Sequence, residues 1–216
     1  MAQLLGIILT DLLLCADNAI VIGMACRNLP ERLRMKGIVL GTVGALVVRL
    51  AATLIIVWLM NLSFVRLVGG AALVFIGCKL MVKEEAGADI KAANSLLSAV
   101  ATVIAADAIM GIDNIMAVAG ISDGHSVMVI IGLCISVPIM VFGSTFVAKL
   151  MDRFAFIVYI GAAVILYAAA RMIVEEKVTV AWFEAHEAVR WIVIIAVTGG
   201  GLLFGYLYNR RKTGRG

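Results

Sequence analysis

The stretch Leu97-Ser-Ala-Val-Ala-Thr-Val-Ile-Ala-Ala-Asp107-Ala-Ile-Met-Gly-Ile-Asp113-Asn114-Ile-Met-Ala-Val-Ala-Gly120-Ile121 decides how this chain folds. It is apolar for longer than the roughly 20 residues a helix needs to cross a bilayer. Its charged residues are two aspartates, Asp107 and Asp113. A carboxylate at the centre of a membrane span costs about 2.5–3.5 kcal/mol on insertion scales. Residues placed there at such cost normally pair with one another, face a water-filled cavity or hold a cation. The pattern also occurs earlier in the chain. Asp11-x5-Asp17-Asn18 matches Asp107-x5-Asp113-Asn114, with an offset of 96 at all three positions.

Working outward, the rest of the chain has the same character. Of 216 residues, 63% are hydrophobic and 15% charged, with a mean hydropathy of +1.10. Soluble domains average roughly 25% charged residues. The expected class is an all-α polytopic membrane protein, a single transmembrane domain over residues 1–216 with no room for a sizeable soluble domain. Seven spanning helices are predicted, at about 4–26, 37–60, 64–82, 97–121, 127–148, 154–174 and 190–208. The N-terminus lacks a basic leader region and Asp11 interrupts its apolar stretch, so it does not read as a signal peptide. Cys15, Cys26, Cys78 and Cys134 have no metal-like spacing and read as small buried hydrophobes. The net charge of +4 comes from loops and carries no signal for nucleic acid.

Lysine and arginine set the orientation. Loop 27–36, segment 79–95, turn 149–153 and the tail carry thirteen basic residues on one side. The other side has four: Arg66, Arg171, Lys177 and Arg190. The expectation is an external N-terminus and a cytoplasmic C-terminus. Segment 175–189, more polar and external, is expected to form a short interfacial helix with Trp182 and Trp191 near the headgroups. His125 and His186 read as solvated surface residues.

The duplication extends beyond the aspartates. Gly69 to Glu85 aligns with Gly161 to Lys177 at an offset of 92. Repeat one therefore covers residues 1–85 and repeat two 97–177, and helix 190–208 is an addition. Helices 2 and 5 match poorly, so the repeat rests on the outer pairs. A unit of three spans is odd in number, so the second copy enters from the opposite face. This gives an inverted repeat, as in many secondary transporters, and brings the two Asp motifs together near the midplane. On a continuous helix, i and i+6 lie about 120° apart while i and i+7 share a face. A local unwinding at Asp-Asn would bring these groups closer and free backbone carbonyls as ligands.

The candidate metal ligands are Asp11, Asp17, Asn18, Asp107, Asp113 and Asn114. Four carboxylates and two amide oxygens suit hard divalent ions such as Mg²⁺, Mn²⁺ and Ca²⁺. Without an ion, mutual repulsion and desolvation favour protons in its place, so exchange of metal for protons is expected. Cys15, Met110 and Met116 are secondary soft ligands that would favour Mn²⁺, although ordinary packing is the plainer reading of each. Arg49, near the middle of helix 2, is expected to pair with one Asp rather than snorkel to an interface. The runs Gly37-x3-Gly41-x2-Gly44 and Gly69-Gly70-Ala71-Ala72 read as close helix crossings. A polar network that only holds the helices together would explain one Asp pair less artificially than two at one offset.

Enzymatic readings fit poorly. An intramembrane aspartyl protease uses Tyr-Asp and Gly-x-Gly-Asp, where this chain has Ala16-Asp17 and Gly111-Ile112-Asp113. A retinal protein needs a lysine in helix 7, and residues 190–208 contain none.

At Leu14-Cys-Ala-Asp-Asn-Ala-Ile-Val-Ile22, Cys26-Arg-Asn-Leu-Pro30 and Asp113-Asn-Ile-Met-Ala-Val-Ala-Gly120 the chain resembles the TerC family of integral membrane proteins, in its YjbE-type branch within the LysE-like transporter superfamily. The resemblance covers nearly the whole chain. It implies manganese export across the bacterial cytoplasmic (inner) membrane and a metal-binding role for the six Asp and Asn positions. Related branches are linked to calcium and to metal loading of secreted enzymes, so a transporter of another cation and a non-transporting accessory protein are the alternatives. The family name refers to tellurium resistance, but acidic residues repel an oxyanion.

Overall fold

The computed structural model describes residues 17–59, 64–82, 89–122 and 126–213, with the side chains of 52–59, 89–94, 112–122, 126–136 and 212–213 outside the description. Among the described residues there are eight helices and no strand. They are α1 (Asp17–Cys26), α2 (Glu31–Leu59), α3 (Val65–Met81), α4 (Asp89–Ser122), α5 (Ser126–Arg153), α6 (Phe156–Val174), α7 (Val180–Ala185) and α8 (Glu187–Thr213). Two stretches, Phe156–Val174 and Glu187–Arg211, are long and apolar enough among the described residues to cross a membrane.

Several helices extend past their apolar spans. The sequence predicts α2 from about residue 37, yet it begins at Glu31. Arg32, Arg34 and Lys36 are good helix formers and continue the helix outward. Pro30 supplies the start, its carbonyl accepting from the N–H groups of Leu33 at 2.8 Å and Arg34 at 3.0 Å. Helix α4 begins at Asp89 rather than near 97 and runs without interruption through Asp113-Asn114 to Ser122. The unwinding considered for this Asp-Asn pair is therefore absent.

The chain forms two compact units. Unit one gathers α1, most of α2, α4 and α5. Its core joins Ile22 and Cys26 of α1, Ile38 and Ala45 of α2, Ala99 and Val103 of α4 and Met140 of α5. Helices α2 and α4 approach closely at Gly41 and Gly44. A Cβ at Gly41 would stand 3.0 Å from Val103, and one at Gly44 would stand 2.6 Å from Ile104. Thr42, Ser144 and Thr145 donate their hydroxyls to the carbonyl four residues back, which satisfies them without water.

Unit two gathers α3, α6, α7 and α8. Leu73 of α3 and Ile165, Leu166, Ala169 and Ala170 of α6 are fully buried. Gly70 permits the crossing of α3 and α6, since a Cβ there would lie 2.8 Å from the Ala169 carbonyl oxygen. Val174, Ile194 and Phe183 pack α6, α8 and α7 together. In contrast to α6, whose apolar window is half buried, only 11% of the α8 window is buried. Ile192, Ile195, Leu203 and Phe204 on α8 are all exposed. An apolar helix with so little burial needs an apolar solvent around it.

Candidate metal centre

The described part of the candidate site lies in unit one. Asn18 of α1 is 1% exposed, and among the described residues neither its Nδ2 nor its Oδ1 has a hydrogen-bond partner. A buried amide left without partners costs about 1–3 kcal/mol, so this side chain calls for an explanation. Asp17, one residue before it, is half-buried. Close packing against α5 holds α1 in place. A Cβ at Gly23 would lie 3.2 Å from the Ser144 carbonyl oxygen, and one at Gly143 would lie 3.5 Å from the Ala19 Cβ.

Asp107 of α4 and Arg49 of α2 form a buried ion pair. Arg49 Nη2 lies 2.5 Å from Asp107 Oδ1, and each side chain is 4% exposed. The close approach at Gly41 and Gly44 lets a guanidinium from α2 reach a carboxylate of α4. Gly111, one turn beyond Asp107, faces the same guanidinium, with its Cβ position 3.9 Å from Arg49 Nε. Desolvating either charge alone would cost several kcal/mol, and pairing offsets most of that cost. Met110 is buried at 8% exposure on the same stretch of α4.

Asp11 and Cys15 lie outside the described residues. Asp113, Asn114 and Met116 occupy the regular helical course of α4, but their side chains lie outside the description. On that continuous backbone Asn114 falls on the same helical face as Asp107, about 10 Å further along the axis. Among the described residues no three His, Cys, Asp or Glu side chains converge as a metal-binding group.

Two groups of polar residues were not evident in the sequence. In unit one, Arg34 Nη1 pairs with Asp152 at 2.5 Å and its Nη2 donates to the Arg27 carbonyl at 2.9 Å. The sequence signal was a single acid in an otherwise basic turn. In unit two, a cleft of about 300 Å³ is lined by Arg66, Glu175, Lys177, Phe183, Glu184 and Arg190 together with Val174 and Val180. Arg171 Nη2 and Arg190 Nη2 both donate to Glu175 Oε1, at 2.6 Å and 3.1 Å. His186, exposed as expected, stacks on Trp182 with ring centroids 4.7 Å apart.

The family model for the integral membrane protein TerC family matches residues 1–213. This chain belongs to the TerC family. Among its relatives is the uncharacterized membrane protein YjbE of Bacillus subtilis (strain 168), 35% identical over 96% of this chain and 95% of that protein. The uncharacterized membrane protein YkoY of the same organism is 26% identical over 73% of this chain and 57% of its own length. The UPF0053 inner membrane protein YgdQ of Escherichia coli (strain K12) is 25% identical over 73% of this chain and 77% of its own length. No solved structure matches. Membership of the TerC family makes this an integral membrane protein, which accounts for the exposed apolar surface of α8.

Proposed function

We propose that this TerC-family protein transports a divalent cation, Mn²⁺ foremost, across the bacterial cytoplasmic membrane, and that it is not an enzyme. The observation that carries the reading is Asn18. Its amide is buried, with both polar atoms unpartnered among the described residues, in the same compact unit as the buried Arg49–Asp107 pair. A membrane protein keeps such groups at depth chiefly where an ion or water meets them.

In this reading the chain crosses the membrane seven times, with the N-terminus outside and the C-terminus in the cytoplasm. The two halves are inverted repeats, and the composition of the compact units supports this. Unit one takes helices 1 and 2 from the first half and their counterparts 4 and 5 from the second, while unit two takes 3 and 6. Asp11, Asp17, Asn18, Asp107, Asp113 and Asn114 bind the ion midway across. Carboxylate and amide oxygens replace its hydration shell. The choice of Mn²⁺ rests on the family resemblance and on the thioether of the buried Met110, a softer donor than oxygen. Protons take the place of the ion on the carboxylates when it leaves, because four desolvated carboxylates repel one another.

The test is Mn²⁺ flux in proteoliposomes, wild type against Asp17→Asn and Asp113→Asn. Flux is expected to be lost in both variants while each stays folded. Unchanged flux in either variant would remove its aspartate from the site. Absence of flux in wild type, with Mn²⁺ still bound, would favour a non-transporting accessory protein.

A further inference from the structure

The Arg49 guanidinium occupies the same carboxylate that the proposed ion site requires. Arg49 Nη2 bonds Asp107 Oδ1 at 2.5 Å, with both side chains buried. In a medium of low dielectric constant, a divalent ion and a guanidinium repel strongly when both stand within bonding distance of one oxygen. The two are therefore alternatives at Asp107 Oδ1. We propose that Arg49 is a tethered competitor for the ion. It holds Asp107 while the site is empty, and ion entry and the Arg49–Asp107 contact exclude each other.

Two further features fit this role. Gly111 presents no side chain to the guanidinium, whose Nε lies 3.9 Å from the position a Cβ would take, so the Asp107 turn of α4 puts no side chain of residue 111 in its way. The competitor also belongs to one half of the repeat only. Offsets of 92 to 96 carry position 49 onto 141–145, which reads Val141-Phe-Gly-Ser-Thr145 and contains no cation. There the Ser144 and Thr145 hydroxyls bond to carbonyls of their own helix. The tethered cation thus acts on one side of a site whose carboxylates come from both halves. It keeps a four-carboxylate site from holding the ion too tightly to release it.

This inference rests on reading Asp107 as an ion ligand. The experiment measures Mn²⁺ binding to the full chain in detergent for wild type, Arg49→Lys, Arg49→Gln and Asp17→Asn, with thermal unfolding as the check on folding. Lysine keeps the charge but is a point donor that lacks the planar fork of arginine, so it holds a carboxylate less firmly. Competition predicts binding tighter than wild type by about threefold in Arg49→Lys and about tenfold or more in Arg49→Gln, each tenfold being about 1.4 kcal/mol. Binding equal to or weaker than wild type in folded Arg49→Gln overturns the proposal. So does an Arg49→Lys protein that binds like wild type, because charge at a distance would then explain any Gln effect. Arg49→Lys leaves the buried charge balanced, so it reports even where the Gln variant does not fold. Unchanged binding in Asp17→Asn would remove Asp17 from the proposed ligand set, while the Arg49 variants alone decide whether Asp107 is contested.

Discussion

Glu176 is 2% exposed, yet its carboxylate is well satisfied. Oε2 accepts from the backbone N–H groups of Arg66 at 3.0 Å and Leu67 at 3.1 Å, and Oε1 accepts from that of Lys177 at 2.9 Å. These bonds place an anion on the first turn of α3, whose own preceding residue Phe64 has no capping side chain and adopts a left-handed φ of 71°. Burial pushes the Glu176 carboxyl up, but the N–H groups of Leu67, Phe64, Lys177 and Arg66 outweigh it and hold it below the ordinary carboxylate value. Because the folded value lies below the unfolded one, the stabilisation is complete above the unfolded pKa of about 4.3 and is lost as pH falls through the folded value. Thermal unfolding in detergent between about pH 3 and pH 6 should show wild type losing stability toward the acid end. Glu176→Gln should be less stable at neutral pH by about 1–2 kcal/mol and should lack that acid loss. An unchanged pH profile in the variant would show that Glu176 is not the group responsible. This role was hidden in the sequence. Glu175-Glu176-Lys177 looks like a solvated connector, and its partners in α3 lie about 110 residues away. By contrast, Asp107 and Arg49 were legible as single residues, because a charge inside an apolar run is conspicuous wherever its partner lies.

At the scale of the helix, the glycines set how closely elements approach, and their neighbours set how strictly glycine is required. A Cβ at Gly70 would meet the Ala169 carbonyl oxygen at 2.8 Å, and backbone cannot rotate aside. A Cβ at Gly44 would meet Ile104 Cδ1 at 2.6 Å, the far end of a flexible side chain. Gly70→Ala should therefore destabilise by about 1–3 kcal/mol, and Gly44→Ala by clearly less. The comparison is made by thermal unfolding of each variant in the same detergent, and equal losses would refute the distinction. The small-residue runs announced both crossings, but the sequence did not say which glycine faces backbone and which faces a side chain. Helix boundaries were legible only as apolar spans. Basic first turns extend α2, and α4 continues through the Asp-Asn pair, because helix propensity does not end where hydropathy does. Helix α7 falls within the polar 175–189 segment, where a short interfacial helix was expected.

At the scale of the molecule, the apolar outer surface of α8 and the family match make a membrane protein. The seven crossings and their direction belong to the proposed reading, the direction resting on the charge bias of the loops. A reporter fused to the C-terminus should read as cytoplasmic, and one at the N-terminus as external. The opposite pair of signals would reverse the orientation, and signals from one and the same side would mean an even number of crossings. The sequence by itself determined the membrane class, the helical character and the identity of the candidate ligands. Hydropathy and buried charge are properties of composition along the chain, and they need no partner to be read. Only the tertiary structure decided that Arg49 joins Asp107, that Asn18 is buried with no partner among the described residues, and that Glu176 caps α3. Each of these depends on which helices approach one another, and that is set by packing between residues far apart in the chain.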